Sequence, residues 1–317
     1  MLNLKNKDKM DWRWMKYMAA KNDNHKNLLA GVKNRAAGAV FDAVCILVNF
    51  LPEKLLAGTG SLLGKIGYIL GVRRETARDN MEKALDELDA KEIDSRLKGC
   101  YKHLGQAAIE FLLLKSKQGS LRRHFDITGE EYIESARNMS ESGGVIIYTA
   151  HLGNWEWMGC LISELGYPVT AIARTHKRAA INERINKLRE SHGVDLVDRK
   201  KGIKDSIKAL NKGDLLIIIG DQHASKGLPM DFFGRPASVH RGAVKMAARY
   251  DVPIVPAFSI RSGFARYRLE IKPALKVPKD LDLETEKEWL KRLLRITEEQ
   301  IAENPEQWLW LHRRWKV

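Results

Sequence analysis

Gly144-Val145-Ile146-Ile147-Tyr148-Thr149-Ala150, followed at once by His151-Leu152-Gly153-Asn154-Trp155-Glu156, is the stretch on which the fold turns. The first seven residues form a short, continuous β-branched run, the pattern of a strand buried on both faces. The next six change to small and polar residues, and a helical stretch then runs from 154 to 165. A buried strand feeding directly into a helix opens an alternation of the kind that builds a mainly parallel, two-sided sheet.

The alternation continues towards the C-terminus. The sequence predicts a strand at 168–173, a helix at 179–192 stopped by His192-Gly193, a short strand at 194–197 and a helix at 201–211. The strongest strand pattern is 214–220, and 242–250 is helical. A strand at 253–258, an edge strand at 267–271 and a charged amphipathic helix at 284–303 follow. Towards the N-terminus, 72–120 carries apolar residues at helical spacing and closes at Gly119-Ser120. No repeat or low-complexity tract appears. The expected class is α/β: a mainly parallel central sheet flanked by helices, preceded by a helical, membrane-associated N-terminal region. The expected organisation is a basic leader at 1–35, an apolar helical segment at 36–71, and an α/β domain at 72–317 that begins with a helical portion.

A chain of 317 residues has room for one large or two modest domains, and its 44% apolar content is that of an ordinary globular protein. The net charge of +14 calls for a polyanionic partner: nucleic acid, anionic lipid or an acidic substrate. Residues 1–35 carry nine Lys/Arg against three Asp. The tail Leu311-His312-Arg313-Arg314-Trp315-Lys316 mixes cations with Trp, which suits a lipid headgroup layer. A solvated charged leader is the competing reading of 1–25. The apolar segment from residue 36 is interrupted by Asp42, Asn49, Pro52 and Glu53. A span needs about 20 mostly apolar residues without a central charge, and no small-residue cleavage site follows. A partly inserted amphipathic helix behind a basic leader fits better, with the N-terminus on the cytoplasmic side. Gly58, Gly60 and Gly64 lack the preceding strand and the Lys-Ser/Thr of a nucleotide loop, and read as a packing surface at a membrane. Cys45, Cys100 and Cys160 show neither CxxC nor metal-ligand spacing, so buried thiols are expected, with no metal.

Ligand crevices of such sheets lie beyond the carboxyl ends of the strands, which singles out 150–156 and 220–224. In the first loop, Asn154 is a candidate N-cap, and Glu156 in the first helical turn is favoured by the dipole. From there Glu156 is placed to accept a hydrogen bond from one nitrogen of His151. The other nitrogen is left unprotonated toward the crevice, as a general base requires. The competing reading is a chance spacing, with His151 capping a strand. In the second loop, Gly220-Asp221-Gln222-His223-Ala224, Asp221 orders the crevice or binds a cation, and 231–237 reads as an apolar loop beside an acyl chain. Ser163, Ser191, Ser206 and Ser238 all lack the Gly-x-Ser-x-Gly setting of a nucleophile elbow, and no His-Glu-x-x-His is present. The simplest chemistry is direct attack by a substrate hydroxyl that His151 deprotonates.

The segment His151-Leu152-Gly153-Asn154-Trp155-Glu156 resembles the His-x4-Glu/Asp motif of glycerolipid-type acyltransferases, and in particular the bacterial lipid A biosynthesis (lauroyl/myristoyl) acyltransferases. Further elements follow in that family's order: Ile172-Ala173-Arg174, Arg189 before Gly193, Asp221-Gln222, Phe232-Phe233-Gly234, Pro253-Ile254-Val255-Pro256 and Pro305-Glu306-Gln307-Trp308-Leu309-Trp310. The resemblance covers most of the chain from about residue 36. It implies transfer of a fatty acyl group from acyl carrier protein or coenzyme A to a hydroxyl of a lipid A precursor or related lipid. No metal or bound cofactor is implied. It further implies a place at the cytoplasmic face of the bacterial inner membrane, contact with anionic membrane lipid and no nucleic-acid partner. By carry-over His151 is the base and Glu156 orients it, while Asn154, Arg174, Arg189, Asp221 and Gln222 bind or support substrate. Two alternatives stay open. The same fold could acylate a phospholipid, an ornithine-type or another lipid, or transfer a non-fatty acyl group. A basic membrane or nucleic-acid binding protein is the non-enzyme reading, although its cations are not set in a recognised nucleic-acid fold.

Overall fold

The computed structural model describes residues 16–17, 31–173, 179–198 and 202–316. Its centre is the predicted strand, β2 (Val145–Thr149), buried at every position. On one side of β2 lie β5 (Leu215–Ile219), β3 (Val169–Ala173) and β4 (Val194–Asp198). On the other lie β8 (Ile254–Gly263), β9 (Arg266–Ile271) and β1 (Phe125–Thr128). The seven strands run in the order β1-β9-β8-β2-β5-β3-β4. All neighbours are parallel except β8 and β9, so the sheet is mainly parallel as expected.

Period-2 alternation divides the core. Ile146 and Tyr148 of β2 join Leu216, Ile254 and Phe258 under α9 (Gly242–Tyr250) and α10 (Leu283–Glu303). Val145 and Ile147 face the other way, with Leu215, Ile217 and Val255, against α6 (Trp155–Glu164). Each fully buried Ile or Leu contributes roughly 1.5–3 kcal/mol, which is why a five-residue strand needs no polar face.

The predicted helical portion is α3 (Arg74–Ala84) and the 28-residue α4 (Ala90–Lys117). A capping box starts α4: Asp89 accepts from the amides of Lys91 and Glu92, and Glu92 accepts from that of Asp89. α2 (Glu53–Ile69) lies against α4. A Cβ at Gly64 would stand 2.1 Å from the carbonyl oxygen of Tyr101 and one at Gly60 2.7 Å from Cα of Gln106, so these two glycines form a packing surface against α4, while Gly58 faces open space. The outer side of α2 exposes Leu55, Leu62, Leu63, Ile66 and Ile69, and α1 (31–49) exposes Val40, Val44, Ile46 and Leu47. Among the described residues no single helix is long and apolar enough to cross a membrane. Asp42, the polar interruption, forms a two-point ion pair with Arg184 on α7 (Ala179–Glu190), at 2.7 and 2.6 Å.

Four expectations need correction. The strand at 266–271 is not an edge: β1, too short and polar to stand out in the sequence, pairs alongside it. β8 runs five residues past its predicted end at 258. The stretch read as an apolar loop at 231–237 is the turn of an antiparallel hairpin, β6 (Leu228–Phe232) and β7 (Arg235–Val239). Phe233 at φ 53° and Gly234 at φ 65° form the two-residue connection that such a hairpin favours. Finally, the basic tail is only partly free for headgroups: Arg313 and Lys316 are exposed, but Arg314 and Trp315 pack inward. Arg314 is fully buried over the Phe232 ring, and the Trp315 indole donates to the Phe232 carbonyl. The three cysteines are buried and free, as expected.

Candidate active site

Strands β2 and β5 are parallel neighbours, with Thr149 level with Ile219. Two residues past each, His151 and Asp221 therefore leave the sheet side by side. Asp221 is 2% exposed and spends both oxygens on this corner. Oδ1 accepts from His151 Nδ1 at 2.7 Å. Oδ2 accepts from the His151 backbone N–H at 2.9 Å and from the Trp308 indole at 2.6 Å. With Nδ1–H committed to a carboxylate, Nε2 of His151 carries the lone pair, and the amide nitrogen of Gln222 lies 3.3 Å from it.

Burial works against charge on His151, but the carboxylates of Asp221 and Glu156 outweigh it and lift its pKa above an imidazole's ordinary 6.5. Burial opposes charge on Asp221 as well. The His151 charge and the donors from His151 and Trp308 override it and hold the carboxyl below its ordinary range.

Glu156 is not the orienting carboxylate. It sits in the first turn of α6, where Arg189 takes both its oxygens at 2.8 and 2.7 Å, and Asp221 from the neighbouring strand end occupies the imidazole nitrogen that Glu156 was expected to bond. Glu156 still acts on His151 through its charge. Asn154 caps α6 by accepting from the Trp157 amide at 3.0 Å, as its position predicts. Its side-chain nitrogen is spent on Glu110 and Tyr267. Arg174 lies outside the described residues.

The loop 150–154 is held from behind by groups that the sequence reading missed. Gly153, at φ 59°, passes so close to β8 that a Cβ there would lie 1.5 Å from the Ser259 carbonyl oxygen. His103 on α4 meets the Gly153 carbonyl at 3.1 Å through Nε2 and accepts from Arg261 Nε at Nδ1, at 3.0 Å. Burial, then the Arg261 charge, pushes the pKa of His103 down to about 3, so it stays neutral. Glu110, fully buried, accepts from Arg261, Tyr267, Asn154 and the Ala265 amide. The C-terminal segment adds two backbone bonds, Gly153 N–H to Gln307 O and Leu309 N–H to His151 O, both 3.0 Å.

Trp308→Phe tests the support of Asp221 by the tail. It removes a hydrogen bond to a buried charge, worth about 1.5–3 kcal/mol, and should lower the denaturant midpoint accordingly. An unchanged midpoint would show that Asp221 does not depend on Trp308.

Beside His151 opens a cavity of about 990 Å³. Its walls are apolar: Leu104 and Phe111 from α4, Ile181 and Ile185 from α7, Ile217 and Ile219 from β5. Small residues, Gly159, Cys160, Ala171 and Ala173, widen it. Its polar lining comes from His151, Asn154, Glu156, Asn182 and Arg189. Burial pushes the Cys160 thiol far up, which removes it as a nucleophile. Among the described residues no cluster of His, Cys, Asp or Glu suits a metal ion.

Sheet, cavity and carboxylate-held imidazole together suit an enzyme that moves an apolar acyl group onto a hydroxyl. The chain belongs to the bacterial lipid A biosynthesis acyltransferase family, whose profile matches residues 35–317, and it is an acyltransferase. It is similar to a lipid A biosynthesis acyltransferase of Haemophilus influenzae, 22% identical over 84% of this chain and 83% of that one. A lipid A biosynthesis palmitoleoyltransferase of Escherichia coli is 25% identical over 84% of this chain and 87% of its own. A phosphatidylinositol mannoside acyltransferase of Mycobacterium tuberculosis matches over 49% of this chain at 22% identity. Among solved structures, the 1-acyl-sn-glycerophosphate acyltransferase PlsC of Thermotoga maritima aligns over 80% of this chain and 97% of its own, at 15% identity and a TM-score of 0.37.

Proposed function

We propose that this enzyme transfers a fatty acyl group from a thioester of acyl carrier protein or coenzyme A to a hydroxyl of a lipid A precursor or a related lipid. The observation that carries the reading is the Asp221-held imidazole of His151 in the wall of an apolar cavity long enough to be lined by α4, α6, α7 and three strands. The acyl chain lies in the cavity with its carbonyl at His151. The acceptor hydroxyl hydrogen-bonds Nε2 and gives up its proton as it attacks the carbonyl carbon. The imidazolium, steadied by Asp221 and by the charge of Glu156, returns that proton to the departing thiolate. Arg189 and Glu156 hold each other at the cavity wall, so α6 and α7 are tied across the site. No metal enters any step of this scheme.

The exposed apolar faces of α1 and α2, next to a basic leader, suit a protein lying on anionic lipid at the cytoplasmic face of the bacterial inner membrane.

A base works only when neutral. Because the His151 pKa is raised, kcat/KM should fall as the pH drops through a value above 6.5, with unit slope. A pH profile in which the acid limb lies below 6.5 would contradict this role for Asp221.

Mass spectrometry of total lipid and lipid A from cells with and without the gene tests the whole reading. One acyl increment on a lipid A species that depends on the gene is the expected result. An increment on another lipid class would move the acceptor, and no change in any lipid would overturn the proposal.

A further inference from the structure

We propose that Gln222 is the oxyanion donor of the transfer, standing in for the acceptor hydroxyl while the site is empty. This rests on the reading of His151 as the base. Asp221 takes Nδ1–H at 2.7 Å, so Nε2 of His151 presents a lone pair. A lone pair only accepts, so the Gln222 atom 3.3 Å away must be its amide nitrogen, donating. That nitrogen stands at the outer edge of the zone, about 2.6–3.2 Å from Nε2, in which a hydroxyl must lie to be deprotonated, and blocks the approach to it. The acceptor therefore has to displace it.

The displaced amide has a second partner within its reach. The carbonyl attacked by the hydroxyl is bonded to the atom that took the place of the amide, so its oxygen forms one bond further on. Gln222 directly follows Asp221, whose carboxylate is pinned by three donors, so its backbone is fixed while its half-buried side chain can turn. Among the described residues the cavity-wall cation is Arg189, and Glu156 holds it away through both Nε and Nη2.

The step balances. The hydroxyl oxygen bonds to the carbonyl carbon, its proton goes to His151 Nε2, and the carbonyl π pair moves to oxygen, where the Gln222 N–H meets it. The pair returns, the carbon–sulfur bond of the donor breaks, and the imidazolium protonates the leaving sulfur. One amide thus caps a lone pair before the reaction and a developing charge during it.

The test compares Gln222→Ala and Gln222→Glu with the wild type for kcat, KM of donor and acceptor, and thermal melting. Gln222→Glu keeps the shape and replaces both donors by acceptors. Loss of one oxyanion donor costs about 10²–10³-fold in kcat, so both variants should lose that much with KM little changed and melting unaltered. The proposal is overturned by a kcat within a few-fold of wild type, by a rise in KM alone, or by a faster variant, which would make Gln222 a plug only. His151→Ala is run alongside. If it is inactive while Gln222→Glu is fully active, only the inference about Gln222 fails. If it retains activity, the assignment of the base fails as well.

Discussion

Asp221→Asn is expected to lower kcat/KM by about 10²–10⁴-fold, as much as is lost when a general base is removed. The size follows from how the carboxylate is used. Two donors, the His151 backbone N–H and the Trp308 indole, converge on Oδ2. In the Asn variant the amide oxygen must take that position, because an NH₂ group there would face two donors. The NH₂ then points at Nδ1 of His151 and donates to it. The imidazole answers by moving its proton to Nε2, the nitrogen that has to accept from the substrate. The geometry survives and the tautomer is wrong. His151→Ala should cost a comparable factor with the fold intact. Nitrogen-15 chemical shifts of His151 would report the proton on Nδ1 in the wild type and on Nε2 in Asp221→Asn. A variant with more than a tenth of wild-type kcat/KM would remove Asp221 from the mechanism.

The expected tautomer also shows what the sequence leaves hidden. Both strand-end loops stood out, because a buried β-branched run followed by polar residues is a local signal, and the crevice rule then places both loops at one edge of the sheet. What is not local is register. Only the pairing of Thr149 with Ile219 puts Asp221, and not Glu156, beside His151. A spacing of five residues favoured Glu156 because it was the carboxylate in view along the chain. The support behind the loop had a signal that went unused. His103 and Glu110 lie on the same stripe of α4 as Leu97, Cys100, Leu113 and Leu114. A carboxylate on an apolar helical face is the informative kind of exception, since such a group is almost never buried without a partner. Its partner, Arg261, sits 151 residues away, and no spacing rule reaches that far. The tail misled for a related reason. Trp and Arg side by side suit a membrane surface, yet here Arg314 is covered and Trp315 is spent on Phe232, leaving Arg313 and Lys316 outside, which depends on contacts the composition does not record.

Glu110→Ala should be the most destabilising of the substitutions considered, at about 3–5 kcal/mol, because it strands a buried guanidinium. Glu110 takes Arg261 at two nitrogens and also satisfies Tyr267, Asn154 and the Ala265 amide, so all four lose a partner at once. Activity should fall beyond what the loss of folded protein explains. Arg261 holds the Nδ1 of His103, His103 meets the Gly153 carbonyl, and Asn154 caps the helix that follows His151. Loosening that chain lets the base drift from its bond to Asp221. Chemical denaturation measures the first effect, and kcat/KM per folded molecule measures the second. The double variant Glu110→Leu/Arg261→Met separates charge from shape. It removes both ions together, so it should be more stable than Glu110→Ala alone while staying below wild type, because Tyr267 and Asn154 remain short of an acceptor. If the double variant is no more stable than the single one, the loss comes from packing, and the stranded guanidinium is not its cause.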